Sequence, residues 1–245
     1  MSWNKEQIKY HIRASKLLYE IIIGAFDYIR KNKENVSERD VQNFIHNIRK
    51  HGLKRDGHKM IVAFNESAAT PHYFVKGKGK KLRKNSLILI DIWVRLDKRK
   101  APYADITWIG YYGHKVPRDI RKVFYIVIKA RDNCLKYIGK GLRKKRMPVG
   151  KECDKIARDL IANYGYGKNF IHSTGHCIGF TSPHGILGGL RKSNKKKLLR
   201  NLGYTIEPGI YLKGKFGIRS EIDFYINKNM KLIVTTPIQR KIIRI

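Results

Sequence analysis

Acidic residues are scarce in this chain of 245 residues: 19 Asp and Glu stand against 53 Lys and Arg, a formal net charge of +34. Cysteine is scarcer still. Cys134, Cys153 and Cys177 are odd in number and show no CxxC spacing. That argues against a disulfide framework or a zinc-finger arrangement and points to free thiols in a reducing compartment. No run approaches the roughly 20 uninterrupted apolar residues of a membrane helix, and the longest candidate, LLYEIIIGAF, is broken by Glu20. The N-terminal MSWNKEQIKY has neither a signal-peptide core nor a cleavage site, so a cytoplasmic protein is expected. Low-complexity linkers are also missing. With 42% hydrophobic residues, the chain has material for a sizeable core, and one compact domain over residues 1–245 is the expectation.

The positive charge has two readings. The runs KGKGKKLRKN (76–85), KGLRKKR (140–146) and RKSNKKKLLR (191–200) would suit a polyanion such as RNA or a ribosome, through counterion release. Alternatively, the abundance of Lys, Ile, Asn and Tyr reflects the compositional drift of an AT-rich genome, with basic residues that simply solvate the surface.

Hydrophobic spacing predicts an α+β layout. Apolar residues at Ile8, Ile12, Leu18, Ile22, Phe26 and Ile29 give a helix over 4–31. Ser37 and Asp40 form a capping-box pattern that opens a second helix, with Val41, Phe44, Ile45 and Ile48 as its buried face. Strands are expected at 60–64, 87–94 and 104–112. A helix follows over 116–142, with Val123, Ile126, Val127, Ala130 and Leu135 inward, and another over 151–164. From residue 170 onward the pattern turns to strands at 170–180, 204–212, 216–226 and 231–236.

With so few acids, their placement is informative. Asp91 interrupts LILI and IW, Asp105 sits in ADITWIG, Glu207 in YTIEPGIY and Glu221 in IRSEIDFYI. All four fall inside apolar, strand-like segments, where an unpaired carboxylate is costly and calls for a proton, an ion pair or a metal cation. Ion pairs to the plentiful Lys and Arg would serve any one of them; a shared metal site would serve all four. Residues 170–185, FIHSTGHCIGFTSPHG, add three histidines. Carboxylates and imidazole together suit Mn2+, Co2+, Fe2+ or Zn2+.

The order Asp91, Asp105 in ADIT, HSTGHCIG, TIEPGIYL and KFGIRSEID resembles the M24 metallopeptidases, the pita-bread family of methionine aminopeptidase, aminopeptidase P and prolidase. The resemblance spans nearly the whole chain. It implies two pseudo-symmetric halves, each a helix pair with strands, around a curved antiparallel sheet. It also implies two divalent metal ions, Mn2+ foremost: Asp91 would chelate one, Asp105 and Glu221 would bridge both, and His176 with Glu207 would complete the second. A metal-bridging hydroxide would then attack the scissile carbonyl, with Glu207 passing on its proton. His72, in AATPHYF, matches the histidine near the scissile amide, and His172 the histidine that precedes the metal histidine in proline-specific members.

Three departures stand out. DKRKAPY extends the turn between the two aspartates. The histidine awaited seven residues after His176 is displaced to His184, behind Pro183, and reaches the site only through a local bulge. Cys177 replaces a frequent Gly or Ser and reads as a small packing residue.

Arg219, two residues before the last ligand, and Asp223, two after it, resemble the aminopeptidase P and prolidase branch, which implies cleavage of Xaa-Pro bonds with Arg219 on the substrate side. No separate N-terminal domain of the kind most proline-specific relatives carry is expected, which keeps methionine aminopeptidase or a broad aminopeptidase open and leaves a homodimer undecided. A non-catalytic pita-bread module that binds RNA or ribosomes through its basic surface is the alternative of another class.

Overall fold

The structure is a computed structural model that describes residues 2–48, 52–54, 57 and 60–245. Helix α1 (Lys5–Asn32) opens with a capping box between Asn4 and Gln7, and α2 (Glu38–Asn47) with the box between Ser37 and Asp40. Each box satisfies two backbone N–H groups that a helix start leaves without a partner. Next come β1 (Leu53–Lys54), β2 (Ile61–Phe64), β3 (Ser86–Leu96) and β4 (Tyr103–Tyr112), followed by the helices α3 (Arg118–Arg143) and α4 (Gly150–Asn163). The remainder contains β5 (Gly203–Ile206), β6 (Gly209–Leu212), β7 (Phe216–Arg219), β8 (Ile222–Ile226), β9 (Leu232–Val234) and β10 (Ile243–Arg244).

The long antiparallel hairpin β3–β4 is the spine of the fold. β1 and β2 pair along the free edge of β3, and β10 pairs with β4 in parallel. Side chains alternate along the spine. Ile88, Ile90, Ile92 and Val94 of β3, with Ala104 and Ile106 of β4, pack against α1 and α2. Leu87, Leu89, Ile109 and Tyr111 face the other way, into a core with α3, α4, β6 and β7. A sheet covered on both faces needs near-continuous hydrophobic strands, and LILI and ADITWIG supply them. The next inward positions along that second face are Asp91 and Trp93 on β3 and Thr107 and Asp105 on β4. There the apolar face gives way to carboxylates.

Two expectations about the strands are corrected. Residues 204–212 and 216–226 are not continuous strands: each breaks in the middle, at Glu207–Pro208 and at Ser220–Glu221. β5 pairs with β8 and β6 with β7, so the two breaks face each other in one antiparallel ribbon. Pro208 has no N–H to give a ladder, and the carboxylate residues leave the ladder with it. The Glu207 N–H donates instead to the Thr174 carbonyl (2.7 Å) and the Glu221 N–H to the Thr107 carbonyl (3.3 Å).

Segment 170–180 is likewise not a strand. Its pairing is limited to single bridges, Gly175 with Leu190, Cys177 with Tyr204 and Ile178 with His184. It is held from α4, where buried Asp154 accepts from the Thr174 N–H and hydroxyl, both 3.0 Å, and pairs with Arg158, which donates to the carbonyls of Phe170 and His172. Gly175 is needed for close approach, since a Cβ there would lie 2.1 Å from the Thr205 carbonyl oxygen. The sheets are also not wholly antiparallel, because of the β4–β10 pair.

Buried Glu38, at the start of α2, ties this helix to the loop that carries residues 72–74. Its carboxylate accepts from the Phe64 N–H, the Tyr73 hydroxyl and the Lys80 N–H, each 2.8 Å. Truncation strands the buried Phe64 N–H, so Glu38→Ala is expected to lower unfolding free energy by about 3 kcal/mol. Urea titration followed by circular dichroism measures it; an unchanged midpoint would contradict this role.

Candidate metal centre

Five acids converge where the spine hairpin meets the broken ribbon. Asp91 and Asp105 come from β3 and β4, and the register fixes their relation: Asp91 lies opposite Thr107, and Asp105 opposite Trp93. Two rungs apart diagonally, the two carboxylates share a face. The extra residues between them lie beyond the Arg95–Tyr103 rung, at the hairpin tip, and leave this register alone. Glu207 and Glu221 enter from the two ribbon breaks, and Asp223 lies buried behind.

Asp91, Asp105, Glu207, Glu221 and His176 line a cavity of about 310 Å³, together with His72, His184, Tyr73, Phe74, Trp93 and Arg219. Ligand atoms of Asp105, His176 and Glu221 all lie within 4.8 Å of one another. His176 Nε2 stands 3.8 Å from Asp105 Oδ2 and 3.4 Å from Glu207 Oε1, while its Nδ1 donates to the Cys177 carbonyl (3.0 Å). That last bond fixes the tautomer, leaving Nε2 as a lone-pair donor toward the acids.

Hydroxyls hold the carboxylates from behind. Thr107 donates to Glu221 Oε2 (2.7 Å), and Thr205 to Glu207 Oε1 (3.1 Å). Asp223 accepts from the Asp105 N–H (2.8 Å), and neutral His11 stands beside it, its pKa pushed down to about 4 by burial. Among the described residues Arg219 is the one Lys or Arg lining the cavity. It donates to Asp91, to Thr107 Oγ1 (3.1 Å), to the Pro71 carbonyl (3.2 Å) and to the Tyr211 hydroxyl (2.9 Å). A single guanidinium cannot neutralise this many carboxylates.

Three buried carboxylate oxygens, Asp105 Oδ1, Glu221 Oε1 and Asp223 Oδ1, have no hydrogen-bond partner among the described residues. Burial, followed by mutual repulsion among the acids, raises Asp105 and Glu221 well above the usual carboxylate range. Burial alone leads for Glu207, which is raised to about 7. His176 moves the other way: burial lowers it to about 3, so the ring is neutral and ready to donate a lone pair. Such a donor set fits divalent cations, which satisfy oxygens that no donor reaches and offset the repulsion.

The structure therefore brings Asp91, Asp105, His176, Glu207, Glu221, His72, His184 and Arg219 to one cavity. His184 arrives by a tight reversal: the Gly179 N–H donates to the Pro183 carbonyl (2.9 Å) and the Gly185 N–H to the Cys177 carbonyl (2.7 Å). Its ring packs 4.0 Å from that of His176. His172, expected on the substrate side, lies one layer further back. Its Nδ1 bonds the Ser173 carbonyl and its Nε2 the Tyr211 hydroxyl, both at 2.8 Å, so both ring nitrogens are already used. Arg219 too turns toward Asp91 and Tyr211, holding the acids in place. Sequence reasoning missed Thr107, Thr205 and Tyr211. For the two threonines the signal was available, since D-I-T and T-I-E put a hydroxyl two residues from a carboxylate, on the same side of an extended chain.

A family model for metallopeptidase family M24 matches residues 10–228. The chain belongs to that family. An uncharacterized peptidase of Staphylococcus epidermidis is 32% identical to it over 204 residues, 83% of this chain and 54% of that protein. A prolidase from Thermococcus sibiricus superposes with a TM-score of 0.82 and 31% identity, over 99% of this chain and 62% of the prolidase. An X-Pro aminopeptidase from Thermotoga maritima gives 0.84 and 27%, over the whole of this chain and 65% of the aminopeptidase. The M24 chain thus has the pita-bread fold and spans between about half and two thirds of the length of these proteins.

Protons and cations compete for this site. Carboxyls with raised pKa values hold protons that a cation must displace, so Mn2+ affinity is expected to increase as pH rises through about 7, the value for Glu207. Calorimetry in buffers of different ionisation enthalpy should show net proton release at pH 6.5; none would count against carboxyl ligands. Thr107→Val, which removes the donor to Glu221, is expected to weaken Mn2+ binding by about 10–100-fold, read in the same titration.

Proposed function

We propose that this chain forms the catalytic unit of a divalent-metal-dependent exopeptidase that releases the N-terminal residue from peptides with proline in second position. The observation that carries this reading is the convergence of Asp91, Asp105, His176, Glu207 and Glu221 on one cavity, with buried oxygens that have no partner and, among the described residues, Arg219 as the lone guanidinium beside them. Those five residues would hold two cations, Mn2+ foremost with Co2+, Fe2+ or Zn2+ as substitutes. When bound, the cations supply Lewis acidity that makes water acidic and polarises the scissile carbonyl.

The chain's own residues do the rest. Glu207 Oε1, oriented by the Thr205 hydroxyl and facing the cavity, takes the proton of the attacking water and delivers it to the departing amine nitrogen. His72 and His184 stand in the cavity wall to bind the peptide amide and carbonyl, while Tyr73, Phe74 and Trp93 give an apolar surface for the flanking side chains. Arg219 holds Asp91 in place by donating to its carboxylate, and His172 anchors the Tyr211 hydroxyl that supports Arg219. Support for proline specificity comes from the prolidase and X-Pro aminopeptidase among its structural relatives. A methionine or broad aminopeptidase is the competing substrate reading.

Purified protein loaded with Mn2+ or Co2+ and assayed side by side on Xaa-Pro and Met-Ala peptides is expected to turn over the former, and Glu207→Gln to lose about 10²–10⁴-fold in kcat. Turnover of Met-Ala alone would sink the proline assignment. Inactivity on both, with metal bound, would sink the enzyme reading.

A further inference from the structure

Charge is distributed unevenly along this chain. Beyond Asp159 the only acids are Glu207, Glu221 and Asp223, all committed to the candidate metal centre, so every exposed charged side chain in the last third of the sequence is Lys or Arg. Before that point the chain mixes signs: Arg30 pairs with Asp27 and Lys155 with Asp159 on helices, and Lys80 with Glu66 in the segment before β3.

One group of cations gathers around the C-terminal end of α3. One depression there is walled by Tyr137, Lys140, Arg143, Lys144 and Arg146. A second shares Arg143 and adds Lys145, Arg200, Lys228 and Lys231. No Asp or Glu among the described residues lines either one. Among the described residues none of these eight cations forms an ion pair. A helix C-terminus favours nearby cations, but two or three would satisfy that preference. Eight from the helix end, the following loop, Arg200 and the 228–231 turn exceed it, and they repel one another.

Two of them are oriented by neighbours. Arg146 lies 5.7 Å from the Tyr137 ring and donates to its hydroxyl (3.2 Å), and Arg200 donates to the Lys228 carbonyl (3.4 Å). Glu152, the carboxylate that reaches the groove wall, is engaged by the Tyr137 hydroxyl (2.6 Å). The exposed large apolar side chains among the described residues, Ile186 and Leu187 included, all lie outside this groove. A lipid surface would be gripped by inserted apolar residues beside the cations. A concave, cation-walled groove with an aromatic ring in its wall suits a polynucleotide strand instead.

We propose that the groove at the C-terminal end of α3 binds single-stranded nucleic acid through its phosphates, independently of base sequence and apart from the peptidase site. The test uses fluorescence anisotropy of the full chain with a labelled oligouridylate at about 150 mM ionic strength. Arg143→Glu/Lys144→Glu/Arg200→Glu is expected to bind at least about tenfold more weakly, with a log–log salt slope reduced by about 0.7 for each phosphate no longer neutralised. Lys9→Glu/Arg13→Glu/Lys16→Glu, on exposed positions of α1, changes the net charge equally and is expected to stay within about threefold of the parent.

Both variants should retain Mn2+ binding and the parent circular dichroism, and Gln versions replace any that fail to fold. Equal weakening by the α1 variant would overturn the proposal in favour of diffuse charge. Preferential binding of phosphatidylserine vesicles or duplex DNA would overturn it in favour of another partner, and absence of RNA binding at this ionic strength would overturn it outright.

Discussion

Repulsion among carboxylates organises this molecule. Asp91, Asp105, Glu207, Glu221 and Asp223 are gathered into a largely buried space with Arg219 as the guanidinium among them. In a low-dielectric interior, unlike in water, each added negative charge acts on all the others. The fold resists in two ways. It holds some oxygens with fixed donors: Thr107, Thr205, the Asp105 N–H and the guanidinium of Arg219. It leaves others without any donor, and those define where a doubly charged cation would sit. Stability given up by crowding the acids is regained when such a cation binds the folded state alone.

Much of this could be read from the sequence because the acids are few and conspicuous. A carboxylate inside LILI–IW or ADITWIG breaks the pattern of a strand buried on both faces, and the spine hairpin lies where those apolar runs place it. The helices followed their apolar periodicity and, for α2, a capping box legible as Ser37–Asp40. Residues 204–212 and 216–226 failed as single strands because hydrophobicity continues straight through both breaks. Periodicity senses which side chains are buried, whereas the breaks concern which backbone N–H groups leave the ladder.

Segment 170–180 escaped for a related reason. Its backbone is held by side chains remote in sequence, Asp154 and Arg158 on α4 and Thr205 on β5, and no local pattern reports on such partners. The same remoteness hid the relay from Asp91 through Arg219 and Tyr211 to His172. His172 was visible as a motif position, but its nitrogens are spent on Ser173 and Tyr211, and only tertiary structure reveals that.

The β3–β4 hairpin separates length from chemistry. Asp91 and Asp105 are set by rungs well inside the ladder, while residues 97–102 close the hairpin outside it. Loop closure depends only weakly on length, so residues can be added or removed at the tip with little effect on the relative positions of the two carboxylates. The six residues DKRKAP are then a place where this fold can grow new surface while the site beneath it keeps its dimensions.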